Sequence, residues 1–302
     1  MQNIFEGIKK FWKTNLIIIF VILVALLTFA IYSLFAGFPW EEKEVAVIEP
    51  IVHSGPVIDE PVSKSMLEGA DFLVYYNPDR DERYAAYAEQ MPMLSVDDVV
   101  WMVDADLDKE PYSVTSEITE PESLTALINK YNALPHDYAP PDLVNIGQSM
   151  MRAEAAEAMN EMIEAAAADG FRLWVQSGYR SYGIQVTLYD RYSANDGVEG
   201  ADIYSARPGH SEHQSGLTAD LNTITDAFGL TPEGIWTAEN CWQYGFIVRY
   251  TSENTNITHY KPEPWHMRYI GRDAAREMHE LGMLSFEEYW VKHIKYPIPE
   301  QL

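Results

Sequence analysis

Cysteine is almost missing from this chain: Cys241 stands alone. No disulfide can form within it, and a cysteine-rich zinc site is excluded. Basic residues are also scarce. Lys and Arg number 21 against 46 Asp and Glu, a formal net charge of −25 at pH 7. Nucleic-acid binders need basic surface, so a nucleic-acid partner is excluded. Acid excess of this kind keeps a domain soluble and says little about fold. Apolar material is plentiful: 47% of the 302 residues are hydrophobic, with 8 Trp, 19 Tyr and 11 Phe. That suffices for a packed core and argues against a disordered chain. No internal repeat is visible.

The hydrophobic residues are unevenly placed. Residues 16–36 read LIIIFVILVALLTFAIYSLFA, without a charge, Pro or Gly. About 20 apolar residues at roughly 1.5 Å rise span a hydrocarbon core, so this run predicts a transmembrane anchor. A buried core helix would need cover on every side. A cleaved signal peptide would have a shorter apolar region and a small-residue cleavage site. No cysteine follows closely, which excludes a lipoprotein. Lys9, Lys10 and Lys13 against Glu6 make residues 1–15 positive. Positive flanks stay cytoplasmic, so the expected arrangement is a single-pass protein of the cell membrane, its main domain extracellular. Tyr32 and Trp40 suit the interface. Residues 37–65, with Pro50, Pro56 and Pro61 and no helical period, read as a stalk linker.

Residues 66–148 form an N-terminal extension that is either a subdomain or a wrap around the core. Val96–Asp104 reads as a short helix or strand, and Thr125–Tyr131 as a helix. From Ser149 to the end of the chain (149–302) the pattern sharpens. Ser149–Asp169 is rich in Ala, Met and Glu and closes at Gly170, which predicts a helix. Strands are expected at Phe171–Gln176, Leu217–Asn222, Phe246–Tyr250 and within Thr258–Ile270. Further helices are expected at Tyr182–Ala194, Thr237–Tyr244, Arg272–Leu281 and, with Ser285 and Glu288 as a capping box, Ser285–Ile294. Helices, then short strands, then helices predict an α+β fold with a small antiparallel sheet and flanking helices.

Of the 8 histidines, two keep unusual company. His213 stands seven residues before Asp220, with Gly216 between to ease a turn. His266 follows Glu263 by three residues. Two imidazoles and a carboxylate would make the three protein ligands that catalytic zinc takes, leaving one position open. Glu263 need not bind metal; beside the open position it would serve as general base. Taken singly, either spacing also fits ordinary polar loop residues. Arg180 follows an expected strand and would stabilise an oxyanion or clamp a carboxylate, or else form a surface ion pair. His210 and His259 lie near enough to line such a site. His53, His136, His279 and His293 read as stalk, loop or surface residues.

Three segments, SGYRSYGIQ at 177–185, PGHSEHQSGLTADLN at 208–222 and EPWHMRYIG at 263–271, together resemble the D-alanyl-D-alanine carboxypeptidases of the VanY type. They occur in that family's order, and the resemblance runs over roughly residues 90–295. It implies zinc held by His213, Asp220 and His266, one ion per chain. Glu263 matches the catalytic base and Arg180 the residue that stabilises the transition state. Ser211 and Gln185 match positions near the substrate; Tyr179, Ser177 and Trp265 are neighbouring candidates for substrate contact. The implied fold is shared with the hedgehog signalling domain, and residues 149–302 become its zinc peptidase core. Ser215, Thr218 and His259 depart from the pattern, but no ligand or base is lost. The implied reaction is removal of the terminal D-alanine from peptidoglycan stem peptides by a zinc D,D-carboxypeptidase outside the cell. One alternative is an L,D-carboxypeptidase acting on the tetrapeptide stem. Another is a zinc-bearing binding module without catalysis, which would have no need of Glu263. A wall-attachment protein would leave the three segments unexplained.

Overall fold

The structure, a computed structural model, describes residues 70–296. The expected cytoplasmic segment 1–15, anchor 16–36 and stalk 37–65 lie outside the described residues. Among those described, no helix is long and apolar enough to cross a membrane.

The extension begins with two helices, α1 (Asp81–Gln90) and α2 (Val96–Asp104). Ser95 Oγ accepts the Asp98 N–H, an N-cap that settles 96–104 as a helix. Tyr84, Ala88, Val99, Val100 and Val103 build a separate apolar cluster, joined by Tyr131 and by Val291 from near the chain end.

The rest of the extension is a strap. It contains β1 (Ser116–Glu117) and β2 (Asn132–Ala133), paired in parallel. The helix expected over 125–131 does not form. Leu124 and Ala126 carbonyls accept from Arg268 Nη2, and Asn129 Oδ1 accepts from the Tyr131 and Asn132 N–H groups. These backbone groups therefore find partners outside a helix.

The helix expected from Ser149 starts four residues late. β3 (Leu143–Ile146) and β4 (Ser149–Arg152) pair antiparallel across a two-residue turn, where Gly147 takes φ +59°. Only then does α3 (Ala153–Ala168) begin. Its Ala155, Ala156, Met159, Met162 and Ala166 are buried at helical spacing.

β5 (Val175–Ser177) is shorter than expected, and α4 (Tyr182–Asp202) is longer, with a break at Gly197. There follow β6 (Thr218–Leu221), α5 (Pro232–Asn240) with a 3-10 turn to Tyr244, β7 (Phe246–Tyr250) and α6 (Thr255–Thr258). The last elements are β8 (Glu263–Tyr269), α7 (Arg272–Glu280) and α8 (Phe286–Tyr289). Ser285 caps α8 by accepting the Glu288 N–H, but the Glu288 carboxylate pairs with Lys292.

Four strands make one antiparallel sheet in the order β5–β6–β8–β7. The α+β expectation thus holds. Side chains alternate across it. Leu217, Ala219, Leu221 and Met267 pack with the buried face of α3, while Asp220, His266 and Arg268 point the other way. On that second side Ile247 joins Leu127, Phe286 and Tyr289 in a smaller cluster.

Candidate functional site

The register of β6 against β8 places Asp220 directly opposite His266. Cross-strand partners hold their Cβ atoms about 5 Å apart on one face, so carboxylate and imidazole meet without any long reach. β7 pairs Val248 with Met267 but Tyr250 with Glu263, so β8 carries two extra residues in that interval. The bulge absorbs Pro264, which could not serve a regular ladder, and re-aims Glu263. Glu263 Oε2 lies 3.5 Å from His266 Nδ1 as a result.

His213 arrives from a 3-10 turn, Glu212–Ser215, that ends at Gly216 with φ +69°. A Cβ at Gly216 would meet only side chains, Leu143 Cδ2 at 2.9 Å among them, so the positive φ is the stronger demand for glycine here. His213 Nδ1 donates to the Gly178 carbonyl at 2.7 Å, since a carbonyl can only accept. That leaves His213 Nε2 facing Asp220 Oδ2 at 3.4 Å. His266 is held the other way round: its Nε2 lies 3.2 Å from Glu212 Oε2, and its Nδ1 lies 3.3 Å from Asp220 Oδ1. The two imidazoles meet edge to face at 5.2 Å.

One ligand atom from each of His213, Asp220 and His266 falls within 4.8 Å of the other two. All three side chains are buried, and Asp220 Oδ1 accepts no hydrogen bond despite its burial. A buried carboxylate oxygen without a donor is costly unless something positive sits there. Two nitrogen donors and one oxygen donor converging on one point are the donor set of a catalytic zinc site. The residues present therefore fit the metal.

The electrostatics agree with that geometry. Burial pushes the Glu263 carboxyl up to about 7, with the Asp220 charge adding to it and His266 opposing. Burial disfavours the His266 imidazolium, yet Asp220 and Glu212 outweigh it and hold His266 at about 9 in the metal-free protein. His213 is pushed down by burial and by the Arg180 charge. Burial opposes ionisation of Asp220 too, but the two histidines hold it well below the usual carboxylate range.

The site opens into a cavity of about 480 Å³. Arg180, Gln185, Ser211, Glu263 and Trp265 line it with the three proposed ligands. Arg180 Nη1 donates to Gln185 Oε1 at 2.9 Å and Nη2 to Ser177 Oγ at 3.3 Å, with Nη2 4.0 Å from Asp220. Gln185 is fixed in turn by donating to the Ala206 carbonyl. Tyr179 and Ser177 are not cavity-lining; Ser177 stands behind Arg180. Nor are His210 and His259: His210 pairs with the Asn129 carbonyl and His259 with the Tyr131 hydroxyl.

Sequence reasoning missed Tyr250, Tyr260, Tyr204, Lys261 and Asp226 in the cavity wall. It also missed Glu212, although Glu212 is adjacent to His213 in the sequence. Single aromatic or charged residues outside a recognisable motif carry no positional signal without the fold.

Residues 148–272 match the family model described as VanY, D-alanyl-D-alanine carboxypeptidase. The putative carboxypeptidase YodJ of Bacillus subtilis (strain 168) is 40% identical over 191 residues, covering 58% of this chain and 70% of that protein. Among solved structures, the LdcB LD-carboxypeptidase is 39% identical, with a TM-score of 0.56 over 59% of this chain and 90% of that one. VanYB in complex with D-alanine-D-alanine is 32% identical, with a TM-score of 0.50 over 56% of this chain and 98% of that one.

Proposed function

This chain belongs to the VanY family of D-alanyl-D-alanine carboxypeptidases, and on that premise we propose that it is a zinc-dependent carboxypeptidase that removes the terminal D-alanine of peptidoglycan stem peptides. The observation that carries the reading is the convergence of His213, Asp220 and His266 on one point, with Glu263 beside them in a cavity. His213 Nε2, His266 Nδ1 and an Asp220 oxygen would hold the zinc. Bound zinc supplies a Lewis acid that polarises a carbonyl and acidifies a water molecule.

The chain's own residues do the rest. Glu263, partly buried at the cavity wall and with its carboxyl near 7, is placed to accept the proton of the attacking water and return it to the departing amine. One water is consumed, one amide bond breaks, and a carboxylate and free D-alanine result. Arg180, steadied by Gln185 and Ser177, presents its positive charge to the carbonyl oxygen as negative charge develops there. Ser211 and Trp265 sit where they can contact the peptide. We propose that the reaction takes place outside the cell, a reading supported only by the apolar run at 16–36 and its positive N-terminal flank in the sequence.

A D,D-carboxypeptidase acting on the pentapeptide is the first reading, supported by the family description and the D-alanine-D-alanine complex of VanYB. An L,D-carboxypeptidase acting on the tetrapeptide is the second, supported by the similarity to LdcB. The test is incubation of the zinc-loaded chain in detergent with a muramyl pentapeptide and a muramyl tetrapeptide, read by mass spectrometry with and without chelator. Chelator-sensitive loss of alanine from the pentapeptide supports the first reading, and from the tetrapeptide alone the second. No cleavage of either by a zinc-loaded chain refutes both and leaves a binding module.

A further inference from the structure

Beneath the proposed metal ligands lies a charged group that the reaction does not use. Glu212 and the side chains of Arg249, Arg268 and Glu287 are wholly buried. Glu212 Oε1 accepts from Arg249 Nε at 2.9 Å and from Arg268 Nη1 at 3.0 Å. The remaining Arg249 nitrogens grip both oxygens of Glu287, at 3.0 and 2.7 Å. Arg268 Nη2 donates to the Leu124 and Ala126 carbonyls of the strap. Two carboxylates and two guanidiniums make a neutral set. A neutral, fully hydrogen-bonded set is the form in which buried charge is tolerated.

The set has one outlet. Glu212 Oε2 faces His266 Nε2 at 3.2 Å. Glu212 Oε1 is held by both guanidiniums, Arg249 Nε at 2.9 Å and Arg268 Nη1 at 3.0 Å, so the group pairs with them as a carboxylate. An ionised carboxylate only accepts, so His266 Nε2 must carry hydrogen. In the neutral ring, Nδ1 is then the nitrogen with a lone pair, and it faces Asp220 and Glu263. His213 is fixed in the opposite sense by the Gly178 carbonyl. The site thus presents Nε2 of one histidine and Nδ1 of the other. Second partners of this kind set the tautomer and raise the basicity of a ligating imidazole.

We infer that Glu212 is a positioning residue for His266: it holds Nε2 as the N–H and leaves Nδ1 free for the metal. Arg249, Arg268 and Glu287 keep Glu212 charged and immobile. The strap and α8 thereby become part of the metal site's scaffold, since Arg268 bonds one and Arg249 the other. The inference rests on the reading of His266 as a zinc ligand.

The test compares two double variants of the full chain in detergent. E212Q/R268M removes one negative and one positive charge and weakens the partner of His266. E287Q/R268M removes the same charges but leaves Glu212 against His266. Zinc affinity is measured by competition with a chromophoric chelator. E212Q/R268M is expected to bind zinc about 10–100-fold more weakly than wild type, and E287Q/R268M, which loosens Glu212 but keeps its carboxylate against His266, clearly more tightly than E212Q/R268M. Equal affinities in the two variants would overturn the inference. A wild-type chain that takes up no zinc would instead overturn the metal reading, and the inference with it. A second measurement does not depend on the variants folding. Nitrogen-15 NMR of the zinc-loaded wild type should show the His266 proton on Nε2, and a proton on Nδ1 would refute the assignment.

Discussion

Gly178→Ala tests whether the loop after β5 positions His213. This loop is fastened on two sides: Tyr179 N donates to the Met150 carbonyl at 2.7 Å, and Arg180 N donates to the His213 carbonyl at 3.1 Å. Its own Gly178 carbonyl accepts from His213 Nδ1 at 2.7 Å. A Cβ on residue 178 would stand 2.4 Å from the Met150 carbonyl oxygen and 2.7 Å from Ser149 Oγ. Ordinary contact starts near 3.4 Å, so the loop or β4 must give by about 1 Å. A shift of that size taken up by the loop stretches a 2.7 Å hydrogen bond beyond useful length. Overpacking of this kind costs about 1–3 kcal/mol of stability. Loss of the outer partner of a ligating histidine costs about 10–100-fold in metal affinity. Thermal melting without metal reads the first effect, and chelator competition reads the second. Gly183→Ala is the control, because no atom lies within 4 Å of its Cβ position. If Gly178→Ala melted lower but bound zinc like the wild type, the Gly178 carbonyl would have no part in holding His213. If it melted like the wild type, the steric argument itself would fail.

Three further outcomes are expected. Glu263→Gln should lower kcat by about 10²–10⁴-fold while binding one zinc per chain, checked by steady-state kinetics and metal analysis; wild-type turnover with zinc in place would refute the base assignment. The pH dependence of zinc affinity follows from His266, which sits at about 9 in the metal-free protein and must lose its proton to ligate. Affinity should therefore rise by about tenfold per pH unit toward pH 9, and a flat profile between pH 6 and 8 would contradict this. The same shift stabilises the metal-free fold below the ordinary histidine pKa of about 6.5, and that contribution is lost as pH rises through about 9. Arg249→Met should destabilise the protein by about 3–5 kcal/mol, because it strips the bidentate partner from buried Glu287; urea unfolding of the metal-free chain would measure it.

Much of the site was legible in the sequence because its chemistry is carried by short, ordered segments. Arg180, His213, Asp220, Glu263 and His266 were all named from three stretches, and the fold brings them to one cavity. The longer elements were legible for a similar reason. Ala, Met and Glu in number before Gly170 mark α3, and Gly245 with φ +83° ends the turn that precedes β7. Where tertiary contacts overrode local preference, the reading failed. Residues 125–131 have helical composition, but Arg268 and Asn129 claim their backbone groups. Ser149–Arg152 look like the first turn of a helix, but they pair with β3.

Sequence alone supplied the residue types that the proposed chemistry requires: two imidazoles, an acid to pair with them, a second acid to serve as the proposed base, and a guanidinium. The order of short strands between helices also led to the expectation of a small antiparallel sheet. Only the tertiary structure decided which nitrogen each histidine presents, since that depends on the Gly178 carbonyl for His213 and on Glu212 for His266. It likewise decided that Glu263 faces the proposed metal ligands, because a two-residue bulge in β8, set by pairing with β7, turns it there. Hydrogen-bond partners and strand register are relations between distant segments, and no window of sequence contains them.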